Sequence, residues 1–274
     1  MKIGVFLGNS TDSLVQQTVE AFISGLDSLG ENFFVSKDYQ KCDVAVIWGI
    51  TSNRALKKTK YRDQIRSAHP HTIVIERGFI KRDDYFSVGW GDTGGLGDYV
   101  NSNVGEDRWN LLNVPMSDWK KDGDYILVCG QVAHDTAVQH VDYRTWLKQK
   151  IESLRVTSNR PIVFRPHPLY KGELGPFSGV TTSKKSLEDD FSSAFAVVTL
   201  NSTSGVESVL EGIPTFSFHK RSMVYEVSNH HDIQVNQPQK PDRQDWAHKI
   251  AYSQWSTDEI SCGKPWLHLK QRFG

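Results

Sequence analysis

Three stretches of this chain carry residue types that can do chemistry. The first is Asn201-Ser202-Thr203-Ser204-Gly205, which follows a short apolar, β-branched run at 196–200 and precedes Val206, Val209 and Leu210 at helical spacing. A buried strand that ends in a small-residue turn and opens a helix outlines an anion site. The helix dipole and the first N–H groups point the same way, and Ser202, Thr203 and Ser204 add hydroxyl donors. Glu207 falls in the first turn, where a carboxylate can accept from the vicinal hydroxyls of a ribose. The same spacing also fits a capping box, in which Ser204 and Glu207 only close the helix end. The second stretch, Arg165-Pro166-His167-Pro168, follows the apolar run 161–164. Its prolines forbid helix and hold Arg165 and His167 at the carboxyl end of a strand, where α/β sheets bind ligands. An Arg beside a His in that position suits a phosphate.

The third stretch runs from 76 to 99. Glu76 stands just past the apolar run 72–75, where a base that takes the proton of an acceptor hydroxyl would be placed; the alternative is an ion pair with Arg77, Lys81 or Arg82. Residues 85–99 hold five glycines and four aromatics, too many for a helix and a poor composition for a strand. They are expected to form an acceptor loop or lid in which Trp90 stacks on a sugar or base, with Asp92 and Asp98 as further acid/base groups. From Arg54 to Arg82, nine Lys and Arg face only Asp63 and Glu76, a local +7 in a chain of zero net charge. Lys57, Lys58 and Lys60 on that basic helix could contact a polyanion or simply form a solvated face.

The surrounding pattern supplies the scaffold. Apolar runs at 2–7, 33–35, 44–48 and 72–75 alternate with helical stripes, the first at 14–26 with Ser10 or Thr11 as its cap, which predicts a parallel, doubly wound sheet. Polar residues 115–123 read as a linker. A second alternation follows: a strand at 125–129 with Gly130-Gln131 as its turn, a helix at 143–154, then the two motif strands. His219-Lys220-Arg221-Ser222-Met223 lies at a further strand end, over the donor, and a helix is expected at 246–255. Two domains, 1–118 and 119–274, suit a length of 274 residues. With 38 % hydrophobic and 23 % charged residues, the composition is that of a soluble, cytoplasmic globular protein. No run approaches the ~18 apolar residues of a membrane span. Cys42, Cys129 and Cys262 are odd in number and widely spaced, as reduced buried thiols would be. The close pairs His69/His71 and His230/His231 lack ligand partners, so no metal site is expected.

The pairing of R-P-H-P with N-S-T-S-G-V-E-S-V-L-E-G-I-P-T-F resembles the nucleotide-sugar half of GT-B glycosyltransferases. The likeness is to the capsule-polysaccharide group that includes bacterial Kdo transferases, with an HP motif and a later S/T-x-G-x-E motif. It extends to Glu76-Arg77-Gly78-Phe79-Ile80 and to Gln254-Trp255. The resemblance implies an α/β protein of two Rossmann-like domains facing across a cleft, with a C-terminal helix crossing back to the first. It implies no cofactor beyond a nucleotide sugar as co-substrate, and gives the donor phosphate to His167, Ser202, Thr203 and Ser204, in metal-independent, electrostatic chemistry. Related enzymes often carry an acidic residue and then Asp-Gly where this chain has Glu76-Arg77-Gly78, which leaves Glu76 as the candidate base. For the acceptor, a basic helix and an aromatic loop match what a hydroxymethylated base in double-stranded DNA requires, namely phosphate neutralisation and a pocket for a flipped base. Small bacteriophage DNA-base glycosyltransferases are similar in kind, and that reading ranks first. A capsule or surface-polysaccharide glycan is the alternative acceptor. A non-catalytic nucleotide-sugar-binding protein is the second alternative.

Overall fold

The computed structural model describes residues 1–6, 11–50, 56–133, 135–170 and 174–273, without the side chains of 56–61. The chain divides into two compact units, Met1–Leu112 with Ala247–Gly274, and Asn113–Trp246. In chain order the first unit contributes β1 (Ile3–Phe6), α1 (Ser13–Ser28), β2 (Phe33–Ser36), β3 (Val44–Trp48), α2 (Leu56–Ala68), β4 (Thr72–Arg77), β5 (Tyr85–Trp90) and α3 (Asp107–Leu112). The second contains β6 (Tyr125–Cys129), α4 (Tyr143–Thr157), β7 (Ile162–Arg165), β8 (Thr181–Thr182), α5 (Leu187–Ser192), β9 (Ala194–Thr199), α6 (Ser204–Leu210) and β10 (Thr215–Ser217). Helix α7 (Gln244–Ala251) leads back to the first unit, which ends with β11 (Gln254–Ser256), α8 (Thr257–Ser261) and α9 (Lys264–Leu269).

The first sheet has the order β11-β5-β4-β3-β1-β2, parallel through β4, with β5 and β11 antiparallel. Ile3, Val5, Val44, Val46, Ile73 and Ile75 are fully enclosed, as strands covered on both faces must be. Helix α1 packs Val15, Val19, Phe22 and Leu26 on one stripe. Its cap is Asp12, which accepts from the Leu14 amide at 2.9 Å, rather than Ser10 or Thr11; Ser10 itself lies outside the described residues.

Two expectations for this unit change. Residues 85–90 form strand β5, not a loop. Gly89 earns its place by packing: an added Cβ would stand 2.5 Å from the Tyr99 ring, so the glycine admits a core aromatic rather than a ligand. The helix expected at 246–255 stops at Ala251, because 254–256 pair with β5. Gln254 is fully buried there; its Oε1 accepts from the Phe79 and Ile80 amides at 2.8 and 2.9 Å, and its Nε2 donates to the Ile80 carbonyl at 3.1 Å. Residues 247–274, assigned from sequence to a second domain of 119–274, therefore belong to the first unit.

The second sheet, β10-β9-β6-β7-β8, is wholly parallel. The chain winds outward from β6 through β7 to β8, then returns to the other side of β6 for β9 and β10. Its connections therefore reverse direction between β6 and β9, and the crevice outside such a switch point is where open α/β sheets bind ligands. The stretch 115–123 is not a free linker. It lies along this unit, the Ser117 amide donating to the Leu210 carbonyl at 2.8 Å and the Lys120 amide to the Gly212 carbonyl at 2.6 Å. Gly212 has φ +69°, and a Cβ there would overlap the Asp118 carbonyl. Gly212→Ala should therefore destabilise the protein by about 2 kcal/mol or more, from left-handed strain plus overpacking. Urea unfolding measures it.

Candidate functional site

At the carboxyl edge of the second sheet, the loops leaving β6 and β9 are joined. Gln131 Nε2 donates to Asn201 Oδ1 at 2.8 Å, and the Gln131 Oε1 accepts from the Asn201 amide at 3.1 Å. Asn201 Nδ2 donates onward to the Ala137 carbonyl at 2.7 Å, and the Tyr143 hydroxyl accepts from the Gln131 amide at 2.8 Å. These buried amides make a rigid floor across the switch point, with their hydrogen bonds made inside the protein. Neither Gln131 nor Asn201 was a sequence candidate. Gly130-Gln131 was legible as a strand-end turn, but nothing local tells that its side chain bridges to a residue seventy positions away.

The residues expected from sequence to meet a donor lie on this edge. Arg165 spends one nitrogen, Nη1, inside the unit. Its guanidinium donates to Asp190 Oδ2 at 2.8 Å and to the Lys185 carbonyl at 2.6 Å, and Asp190 is 1 % exposed. The arginine thus neutralises a buried carboxylate that also accepts from the Ser183 hydroxyl at 2.7 Å. His167 is half-buried, and its Nδ1 accepts from the Leu169 amide at 3.1 Å, which makes Nε2 the protonated nitrogen of the neutral ring.

Four amides of the 202–206 turn are used locally. Ser202 N donates to Thr199 Oγ1 and Ser204 N to Ser202 Oγ, both at 3.2 Å, and the Gly205 and Val206 amides reach the Ser202 and Thr203 carbonyls. The Ser204 hydroxyl is buried against the Cys129 thiol, with no stronger partner, and burial pushes that thiol up to about 12. With these four amides used, the half-buried Ser202 and Thr203 side chains are the candidates of this turn for a ligand contact. The capping box also fails to form. The N-cap of α6 is Thr203, in helical conformation and with no side-chain cap bond, so Glu207 lies half-buried in the first turn without that duty.

In the first unit, Glu76 is the penultimate residue of β4, at the carboxyl edge. Its Oε1 accepts from the Arg77 amide at 2.9 Å, and its Oε2 lies over Gly49, where an added Cβ would come within 3.0 Å. The charged neighbour is Arg62, which also faces Gly49; burial lowers the Arg62 pKa and the Glu76 charge opposes that. Of the basic residues named from sequence, Arg77 pairs with Asp83, Lys81 donates to the Leu112 carbonyl and Arg82 donates to the Gly78 carbonyl.

Trp90, Asp92 and Asp98 do not join Glu76. Strand β5 runs antiparallel, with Trp90 opposite Ile73 and Phe86 opposite Arg77. That puts Trp90 about 10 Å back along the sheet from Glu76, with the following loop at the amino edge. Trp90 is 2 % exposed, and its indole donates to the Leu269 carbonyl at 3.2 Å, so it offers no face to a base. Asp92 pairs with Arg66 at 3.3 Å and Asp98 with Arg272 at 3.2 Å. Lys57, Lys58 and Lys60 fall on α2, but their side chains are outside the described residues. Among the described residues no group of three or more His, Cys, Asp or Glu is placed to hold a metal ion, and no helix is long and apolar enough to cross a membrane.

No protein-family model and no curated protein matches the chain. Solved structures do. The β-Kdo 2,4 transferase of KpsC from Thermosulfurimonas dismutans superposes with a TM-score of 0.58 at 13 % identity, over 92 % of this chain and 90 % of that one. The β-Kdo 2,7 transferase of the same protein gives 0.56 at 16 % identity, over 97 % and 99 %. At such identities the likeness speaks for architecture. Two units built on largely parallel sheets, matched along nearly the whole chain, give this protein the fold of the GT-B glycosyltransferases.

Proposed function

We propose that this chain transfers a glycosyl group from a nucleotide sugar to a hydroxyl of a saccharide acceptor of the capsule or surface-polysaccharide type. The observation that carries the reading is the β6–β9 switch point, where Gln131 and Asn201 form a rigid floor and His167, Ser202, Thr203 and Glu207 leave strand ends of the same edge. The bond from the anomeric carbon to the nucleotide phosphate breaks, the acceptor oxygen bonds to that carbon, and its proton passes to a base, for which Glu76 is the candidate. His167 Nε2–H and the two hydroxyls donate to the departing phosphate, a preorganised electrostatic contribution that these side chains supply without a metal. A glycan acceptor is favoured over DNA for two reasons. The solved structures similar along nearly the whole chain are Kdo transferases by name. The aromatic stretch that would have received a flipped base is core around Trp90.

Nucleoside mono- and diphosphates should raise the melting temperature, since a ligand at 100 times its Kd stabilises by about 2.7 kcal/mol. Sugar label should then pass to an oligosaccharide and not to hydroxymethylated duplex DNA. Label on the duplex would restore the DNA reading, and no response to any nucleotide would remove the transferase one. Glu207→Gln separates binding from capping. Nucleotide affinity should fall about tenfold, the scale of one lost charged hydrogen bond, a much larger effect than any on the melting temperature, because Glu207 closes no capping box.

A further inference from the structure

Strands β3 and β4 end side by side at the carboxyl edge of the first sheet, and two opposite charges close on one glycine there. Gly49, the residue after β3, is buried, with φ +62° and its amide donating to the Ile75 carbonyl at 2.7 Å. A Cβ added to it would stand 3.0 Å from Glu76 Oε2 and 3.2 Å from Arg62 Nη1, so both charged atoms reach the same point beside its Cα. Glycine alone combines that left-handed backbone with room for both. Each charged group is also fixed by the main chain. Arg62 reaches over from α2, its Nη1 donating to the Ile50 carbonyl at 3.3 Å. Glu76 Oε1 accepts from the Arg77 amide at 2.9 Å, with Oε2 over Gly49.

The electrostatics agree with that geometry. Arg62 and Glu76 are both half-buried. Burial lowers the Arg62 pKa, and the charge of Glu76 works against that. Such coupling is mutual, so the guanidinium favours the ionised carboxylate as the carboxylate favours the guanidinium. A carboxylate drawn partly out of water otherwise takes up its proton more readily, and once protonated it cannot accept another from a hydroxyl. Among the described residues, β5 sets the uncharged Ser87 opposite Glu76, and β3 sets Trp48 opposite Ile75. Of the cations on its own strand and loop, Arg77 pairs with Asp83 at 3.9 Å, and Lys81 and Arg82 donate to the Leu112 and Gly78 carbonyls. Arg62 is the cation that shares Gly49 with Glu76.

We propose that Arg62 is the positioning residue of Glu76: anchored on the Ile50 carbonyl, it keeps the carboxylate ionised and directed over Gly49, so that Glu76 meets the acceptor as a base. This rests on the role given to Glu76 above. The proton of the acceptor hydroxyl ends on Glu76 as the oxygen bonds to the anomeric carbon and the nucleotide phosphate departs. Arg62 acts through Glu76 and gives up no proton itself.

The test follows the glutamate carboxyl carbons of the whole chain by carbon NMR, isotope-labelled at Cδ, as the pH is varied. Glu76→Gln identifies the Glu76 signal by its absence. In Arg62→Gln the Glu76 midpoint should rise by about 1 pH unit, the low end of what an arginine beside a carboxylate does, with the other carboxyl signals in place. Arg62→Lys keeps the charge and should stay nearer wild type. Arg62→Met, which keeps the apolar stem, gives the same measurement should the Gln variant fail to fold. Kinetics, with the donor and oligosaccharide for which label transfer is found, supplies the second readout. The acidic limb of kcat/KM should move up with the midpoint in Arg62→Gln, and the rates of variant and wild type should converge above it. A merely structural role would lower the rate equally at every pH. A Glu76 midpoint that stays put in the folded Gln or Met variant overturns the proposal, and so does sugar transfer with an unmoved acidic limb. A midpoint that rises in a protein transferring no sugar at any pH keeps the hold of Arg62 on Glu76 and removes the transferase reading.

Discussion

His167→Ala should lower glycosyl transfer by about 10²–10³-fold, the usual cost of removing one positioned donor from a developing anion, while the melting temperature stays near that of wild type. The ring is half-buried at the end of β7, held between Pro166 and Pro168, and oriented by the Leu169 amide on its Nδ1. Its loss removes no core volume. Steady-state kinetics with a nucleotide-sugar donor separates the possibilities. A fall confined to kcat, with donor affinity nearly kept, marks a contact made in the transition state. A variant that melts early but whose folded fraction turns over normally would make the histidine structural. His167→Gln, which keeps a donor near the same place, should recover part of the rate.

Arg108→Ala should cost about 3–5 kcal/mol of stability, the range for breaking a buried ion pair on one side. Arg108 is 6 % exposed and Glu259 7 %. Its Nη1 and Nη2 donate to the two Glu259 oxygens at 2.6 and 3.1 Å, and the guanidinium lies 3.7 Å over the Trp255 ring. It also donates to the Ala251 and Gln254 carbonyls at 3.2 and 2.8 Å. The arginine therefore fastens residues 247–274 to the first unit, and truncating it leaves a buried carboxylate with only Lys264, 3.8 Å away, as a cation. Urea unfolding gives the magnitude, and the Arg108→Ala/Glu259→Ala pair should recover part of it. The pH dependence has a definite sign. Burial raises Glu259, but the hydrogen bonds and charge of Arg108 outweigh it and hold the carboxyl below its ordinary range. A carboxylate depressed in the folded state contributes stability that is present above its unfolded pKa of about 4.3. That contribution is lost as pH falls through the folded value. Wild type should therefore lose this term only in that acidic window, and the double variant should show a shallower loss there.

Two of the S-x-x-E spacings in the chain, 204/207 and 256/259, show how far local sequence reaches. At Ser204 and Glu207 the spacing promises a capping box, yet the cap is Thr203 and makes no side-chain bond. At Ser256 and Glu259 both reciprocal bonds are made, and the same Glu also holds Arg108. The difference lies outside the four residues. Thr199 Oγ1 and Ser202 Oγ take the amides of the first turn, and Ser204 turns its hydroxyl inward to Cys129.

What the sequence determined by itself is what depends on neighbours along the chain. Apolar β-branched runs bounded by helical stripes dictate parallel strands, because only a sheet covered on both faces buries such runs. Strand-end turns with Pro, Ser, Thr and His mark the carboxyl edge of the second sheet, and His167, Ser202 and Thr203 stand on it. Strand direction and pairing partner are set by tertiary contacts instead. An antiparallel β5 carries Trp90, Asp92 and Asp98 to the edge opposite Glu76. Gln254 is drawn into the first unit by three backbone groups at 79–80. Arg165 is claimed by Asp190, twenty-five residues on, since a carboxylate buried to 1 % exposure requires a cation before a ligand can have one.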